Sequence, residues 1–170
     1  MRILFVCTGN ICRSPIAERL TAEYCDRKGI RNVHAASAGT RALVGQDMHP
    51  LAARVVKELA GDAARFAARQ LTDKLALGSD LILTMTKAHR DSVLELAPRQ
   101  LHNTFTLDEA SRLASRSDAT DLASLSSLRA RLARDEVEDI FDPIGSSDGI
   151  FRSVGLQIHR LLPPIIELTC

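Results

Sequence analysis

Ile3-Leu4-Phe5-Val6 is an unbroken apolar run. A strand with one wet face would alternate, so this run predicts a strand covered on both faces, as in a parallel sheet. Thr8-Gly9-Asn10 ends it, and Ile16, Leu20 and Tyr24, with Ala17 beside them, then recur at helical spacing. Pro15 suits the first turn of that helix and Gly29 its stop. Residues 33–38 read as a second strand ending at Gly39, and residues 49–59 as a helix. Asp80-Leu81-Ile82-Leu83-Thr84-Met85 is a third, buried strand, followed by a helix over 87–96 that Pro98 closes, and residues 104–107 form a short fourth strand. Residues 109–134 carry Leu122, Leu125, Leu128 and Leu132 at helical spacing among Ala, Ser, Arg and Asp, which predicts a helical excursion of limited packing. Phe151, Val154, Ile158, Leu161 and Leu162 mark a last helix over 147–168 that Pro163-Pro164 should kink or end. Strands alternating with helices give an α/β fold on a parallel sheet, with ligands bound at the carboxyl ends of the strands.

No repeat, linker or low-complexity segment divides the 170 residues, and a chain of this size with 45% apolar and 25% charged positions suits a single domain over 1–170. No apolar run approaches the ~20 residues of a membrane span. Met1-Arg2 leads directly into the first strand without a cleavage-site pattern, so the expected location is the cytoplasm, away from membranes. A net charge of +1, one Tyr, five Phe and no Trp leave neither a basic field nor stacking rings for nucleic acid. Cys7, Cys12, Cys25 and Cys170 are too few for a disulfide framework and read as reduced thiols. His34, His49, His89, His102 and His159 are scattered without zinc spacing, so neither a metal nor a cofactor is expected.

The chemistry concentrates directly after the first strand, in Cys7-Thr8-Gly9-Asn10-Ile11-Cys12-Arg13-Ser14. Successive backbone amides feeding a helix start make a concave anion site, because they lack partners inside the helix and the helix dipole adds positive charge. A thiol in that field is pushed toward thiolate. Arg13 offers a planar fork for two phosphoryl oxygens, while Gly9 and Asn10 accept the left-handed backbone a tight cradle needs. The spacing of Cys, five residues and Arg is weak by itself. Cys25 and Arg31 share it, and four cysteines with 18 arginines supply about 0.4 such pairs by chance. Cys25, however, falls within a predicted helix, where no free amides converge.

Val6-Cys7-Thr8-Gly9-Asn10-Ile11-Cys12-Arg13-Ser14-Pro15 resembles the signature of the low-molecular-weight protein tyrosine phosphatase family. Ser37-Ala38-Gly39-Thr40, Arg69-Gln70-Leu71, residues 80–86 and Asp142-Pro143 resemble further blocks of that family in the same order. The resemblance implies a three-layer, flavodoxin- or Rossmann-like sandwich with a four-stranded parallel sheet in the order 2-1-3-4. It also implies a phosphatase acting on phosphorylated protein through a phosphocysteine. Cys7 would attack phosphorus, and Arg13 with the amides of Thr8, Gly9, Asn10, Ile11 and Cys12 would hold the oxygens. Ser14 would steady the thiolate, Asn10 would pin the loop, and Asp142 would serve as general acid and then activate water. Read alone, Asp142-Pro143 is a loop turn. Cys12 is either a small buried residue or, as the resemblance favours, a reversible disulfide partner that shields Cys7.

Two cues bear on the substrate. Tyrosine-specific members carry aromatic residues after Asp-Pro, where this chain has Ile144-Gly145, and segment 141–145 looks closer to a bacterial branch that includes protein-arginine phosphatases. That branch has Thr where this chain has Ile11, and an apolar residue inside the cradle favours an aromatic ester, so phosphotyrosine is the expected substrate and phosphoarginine the alternative. A family histidine expected shortly before Arg69 is absent, with Phe66 nearby. Arsenate reduction needs a cysteine relay that Cys25 and Cys170 are not placed to supply. A non-catalytic anion-binding or redox-sensing domain cycling Cys7 and Cys12 would have no use for Asp142. No sequence feature fixes the oligomeric state.

Overall fold

A computed structural model of the chain describes residues 1–133 and 135–168. Four strands, β1 (Arg2–Cys7), β2 (His34–Gly39), β3 (Leu81–Thr84) and β4 (Thr104–Thr106), form one parallel sheet in the order β2-β1-β3-β4. Residues alternate between its faces. Ile3, Phe5, Leu81, Leu83 and Phe105 point into one core with α1 (Arg13–Lys28), α2 (Pro50–Glu58), α5 (Leu107–Ala114) and α7 (Asp148–Glu167). Leu4, Val6 and Ile82 point into a second core with α3 (Asp73–Leu77) and α4 (Lys87–Leu96). Helices thus cover both faces, which is why the strands read as continuous apolar runs. Among the described residues no helix is long and apolar enough to cross a membrane.

Three expectations need correction. Within residues 109–133, Ala110, Leu113 and Leu125 are fully buried, closer packing than expected there, whereas residues 115–118 are exposed. A capping box between Thr106 and Glu109 starts α5, which cuts the fourth strand one residue short, and Asp121 with Ser124 caps α6 (Leu122–Leu128). Helix α7 continues through Pro163 and Pro164 to Glu167. Those rings deprive only the carbonyls of His159 and Arg160 of their helical partners, one turn from the end, while Ile165 and Ile166 remain fully buried against the core. Helix α3, which the hydrophobic pattern did not predict, is too short to show a period; its start is set by Thr72, whose side chain accepts from the Leu75 amide. Cys170 lies outside the described residues.

Candidate active site

The loop from Cys7 to Ser14 joins β1 to α1 at the carboxyl edge of the sheet. Four of its carbonyls are taken by the segment after β2. Thr40 N donates to Cys7 O (2.9 Å), Arg41 N to Thr8 O (3.0 Å), Leu43 N to Gly9 O (3.0 Å) and His49 N to Ile11 O (2.8 Å). With the carbonyls committed on one side, the amides are free to face the other. No side chain caps α1, so its first N–H groups are also left for an anion. Asn10 adopts φ of 55°, the left-handed turn anticipated for it.

Close approach governs one glycine here. A Cβ on Gly39 would lie 2.4 Å from the Thr8 carbonyl oxygen. Gly39→Ala is therefore expected to push the loop aside, lowering stability by about 1–3 kcal/mol and weakening inorganic phosphate binding together. Thermal unfolding and calorimetric titration with phosphate check this, and an unchanged phosphate affinity would contradict it.

Beneath the loop Cys7 Sγ lies 2.9 Å from Ser14 Oγ. Asn10 Nδ2 donates to Ser14 Oγ (2.9 Å) and to Ser37 Oγ (2.8 Å), and Ser37 Oγ donates to Glu18 Oε2 (2.5 Å). Arg69 N donates to Asn10 Oδ1 (2.8 Å), while its Nε donates to Ser37 O (2.6 Å). A hydrogen-bonded chain therefore runs from a carboxylate on α1 to the thiol, with Asn10, Ser14 and Ser37 fully buried. Phe66, in the region where the family histidine was sought, lies under the guanidinium of Arg19.

Arg13 is 4% exposed and bridges to the far end of the chain. Its Nη1 donates to Ile140 O (3.0 Å) and its Nη2 to Asp142 Oδ2 (2.5 Å), leaving Nε buried without a hydrogen-bond partner. The segment leading to Asp142 is anchored at several points: Ile140 N donates to Met85 O (2.8 Å), Lys87 N to Asp139 Oδ1 (2.8 Å) and Glu138 N to Asp108 Oδ2 (3.0 Å). Asp142 Oδ1 accepts from Ile144 N at 3.3 Å, so the Asp-Pro turn and the contact to Arg13 coexist. A Cβ on Gly9 would lie 3.6 Å from Ile11 and 3.9 Å from Leu43, so both apolar side chains come close to this glycine.

Cys7 and Cys12 are free, buried thiols. Burial, together with Cys7 and Asp142 nearby, pushes the Cys12 thiol up to about 12 despite the opposing charge of Arg13.

The loop residues named from the sequence, and Asp142, thus lie together. The sequence reading missed His89, and gave Ser37 and Arg69 no role beyond their family blocks. His89 Nε2 lies 2.8 Å from Thr8 Oγ1 and Nδ1 2.9 Å from Thr86 Oγ1. Burial first and then the Arg13 charge lower its pKa from 6.5 to about 4. The unfolded chain consequently takes up a proton between these values that the folded protein refuses. This contribution to stability is complete above about pH 6.5, is lost as pH falls toward 4, and amounts to no more than about 3 kcal/mol. Urea midpoints measured from about pH 7.5 to about pH 3.5 should fall less steeply in His89→Gln than in the parent.

A buried thiol, a cationic fork and a carboxylate around an amide-lined loop define a site for handling a phosphoryl-sized oxyanion on a doubly wound sheet. The family model of low molecular weight phosphotyrosine protein phosphatase matches residues 2–124, and the chain belongs to that family. It is 44% identical over 96 residues to the low molecular weight protein-tyrosine-phosphatase Wzb of Escherichia coli (strain K12), a match spanning 56% of this chain and 62% of that protein, under two thirds of its length. It is 35% identical over 162 residues to the protein-arginine-phosphatase of Bacillus subtilis (strain 168), covering 95% of this chain and 92% of the relative. A solved structure of a YwlE arginine phosphatase mutant with a phosphorylated active-site serine superposes with a TM-score of 0.79 and 29% identity, covering 98% of this chain and 94% of that one.

Proposed function

We propose that this chain is a phosphomonoester hydrolase that dephosphorylates protein tyrosine through a phosphocysteine intermediate. The observation that carries the reading is the Arg13 to Asp142 contact at 2.5 Å, which places a carboxylate from 129 residues downstream at the cradle that holds Cys7. A redox sensor needs no such group.

Cys7 attacks as the thiolate in line with the leaving oxygen. The S–P bond forms as the P–O bond breaks, and Asp142 in its acid form passes its proton to the departing phenoxide. The loop amides and Arg13 hold the equatorial oxygens as charge shifts onto them, with the unpartnered Nε of Arg13 adding a donor. In the second half Asp142, now a carboxylate, takes a proton from water. The water oxygen attacks phosphorus, the S–P bond breaks, and inorganic phosphate and the Cys7 thiolate are released. An entering phosphoryl group must first replace Asp142 on the Arg13 fork, which frees the carboxyl for the leaving group. Positive charge in the cradle comes from the protein itself, so turnover is proposed to need no metal.

Ile11, an apolar side chain within the Cys7 loop, suits a phenyl ring, which supports phosphotyrosine. A second reading, phosphoarginine, is favoured by the nearly full-length likeness to arginine phosphatases and by Ile144 in place of an aromatic after Asp142-Pro143. Peptides carrying phosphotyrosine, phosphoserine or phosphoarginine, assayed on one preparation for phosphate released, separate the two. Faster release from phosphotyrosine supports the first reading, faster release from phosphoarginine replaces it with the second, and release from none overturns both.

A further inference from the structure

We propose that His89 is a positioning residue for the Cys7 loop, acting through the hydroxyl of Thr8; the inference rests on the phosphoryl-binding role of that loop. Strand register creates the juxtaposition. Val6 pairs with Thr84, so the residues that follow β1 and β3 emerge next to each other at the carboxyl edge of the sheet. Thr86 then caps α4, its hydroxyl accepting from the His89 amide at 3.2 Å. A side chain in the first turn of a helix leans back toward the helix start. Position 89 therefore reaches over the cap toward the β1 loop.

The ring is held at both nitrogens, 2.9 Å from Thr86 Oγ1 and 2.8 Å from Thr8 Oγ1. In a neutral imidazole one nitrogen donates and the other accepts, so whichever tautomer is present the two threonines receive complementary partners. Thr8 follows the nucleophile directly, and its backbone carbonyl is already fixed by Arg41 N. Fixing its side chain from the opposite side leaves its peptide unit little freedom to turn, and the amides of such a cradle act only while they point at the oxyanion. His89 is only 7% exposed, so its ring packs as well as bonds, and a polar replacement is needed to tell the two apart. Its ring and Thr8 border a cavity of about 640 Å³.

Four variants test the assignment: Thr8→Val, His89→Leu, His89→Gln, and Thr8→Val combined with His89→Leu. The readouts are kcat and KM for an aryl phosphate, the affinity for inorganic phosphate, and Tm. Thr8→Val and His89→Leu should each lower kcat/KM by about 10-fold, the scale of one hydrogen bond, with phosphate affinity falling in parallel. His89→Gln, whose amide both donates and accepts, should recover most of the loss. The double variant should be no worse than either single one, because both remove the same link. Unchanged kcat/KM and phosphate affinity in Thr8→Val, or losses that multiply in the double variant, would overturn the proposal. Should the parent protein release phosphate from neither phosphomonoesters nor phosphoarginine, the enzyme reading fails, and the phosphate affinities of the same four variants still decide the role of His89.

Discussion

Cys7→Ser is expected to stop turnover of 4-nitrophenyl phosphate, with kcat lowered by about 10⁴-fold or more. A serine hydroxyl in the same place keeps its proton near neutrality and is a far weaker nucleophile than a thiolate. Its neighbour Ser14 Oγ is itself already bonded to Asn10 Nδ2. The oxyanion site should survive, because the loop amides and Arg13 do not depend on the sulfur. Inorganic phosphate should therefore bind the variant within a few-fold of the parent. Loss of turnover with binding retained identifies Cys7 as the nucleophile. Retained turnover would remove the phosphocysteine mechanism altogether, and loss of both would mean only that the loop had collapsed.

The second large effect belongs to Asp142. Asp142→Asn should lower kcat by ~10²–10⁴-fold for a substrate whose leaving oxygen is strongly basic. The loss should be much smaller for an ester that leaves readily without a proton. A plot of rate against leaving-group basicity is the measurement, and an acid catalyst is recognised by the steeper slope in the variant. The same change removes a negative charge 2.5 Å from the Arg13 guanidinium, so phosphate should bind the variant more tightly than the parent. Equal losses for good and poor leaving groups would assign Asp142 to holding Arg13 rather than to proton transfer.

Much of this arrangement could be read from the chain before any coordinates. The buried strands announced themselves because both faces are covered, and the loop was legible because its residues are contiguous. Asp142 was reached only through the family resemblance, since 129 residues separate it from Arg13 and no local pattern links them. His89 was illegible for a related reason. Its partners are one residue three positions away and one 81 positions away, and only the register of β1 against β3 unites them. Thr86-x-x-His89 at a helix start was the one available hint. The Pro163-Pro164 pair misled because local propensity was weighed without Ile165 and Ile166, whose burial outweighs two missing bonds near a helix end.

The carbonyls of Cys7, Thr8, Gly9 and Ile11 are each met by a particular amide between Thr40 and His49. One residue inserted into that stretch would put every later donor out of step with its acceptor and unsettle the nucleophile without touching it. An insertion among the exposed turns of residues 115–120 meets no such counting rule. Growth or shrinkage of the chain is thus open at one end of the sheet and closed at another, and new recognition surfaces have room to arise only where length is not being counted.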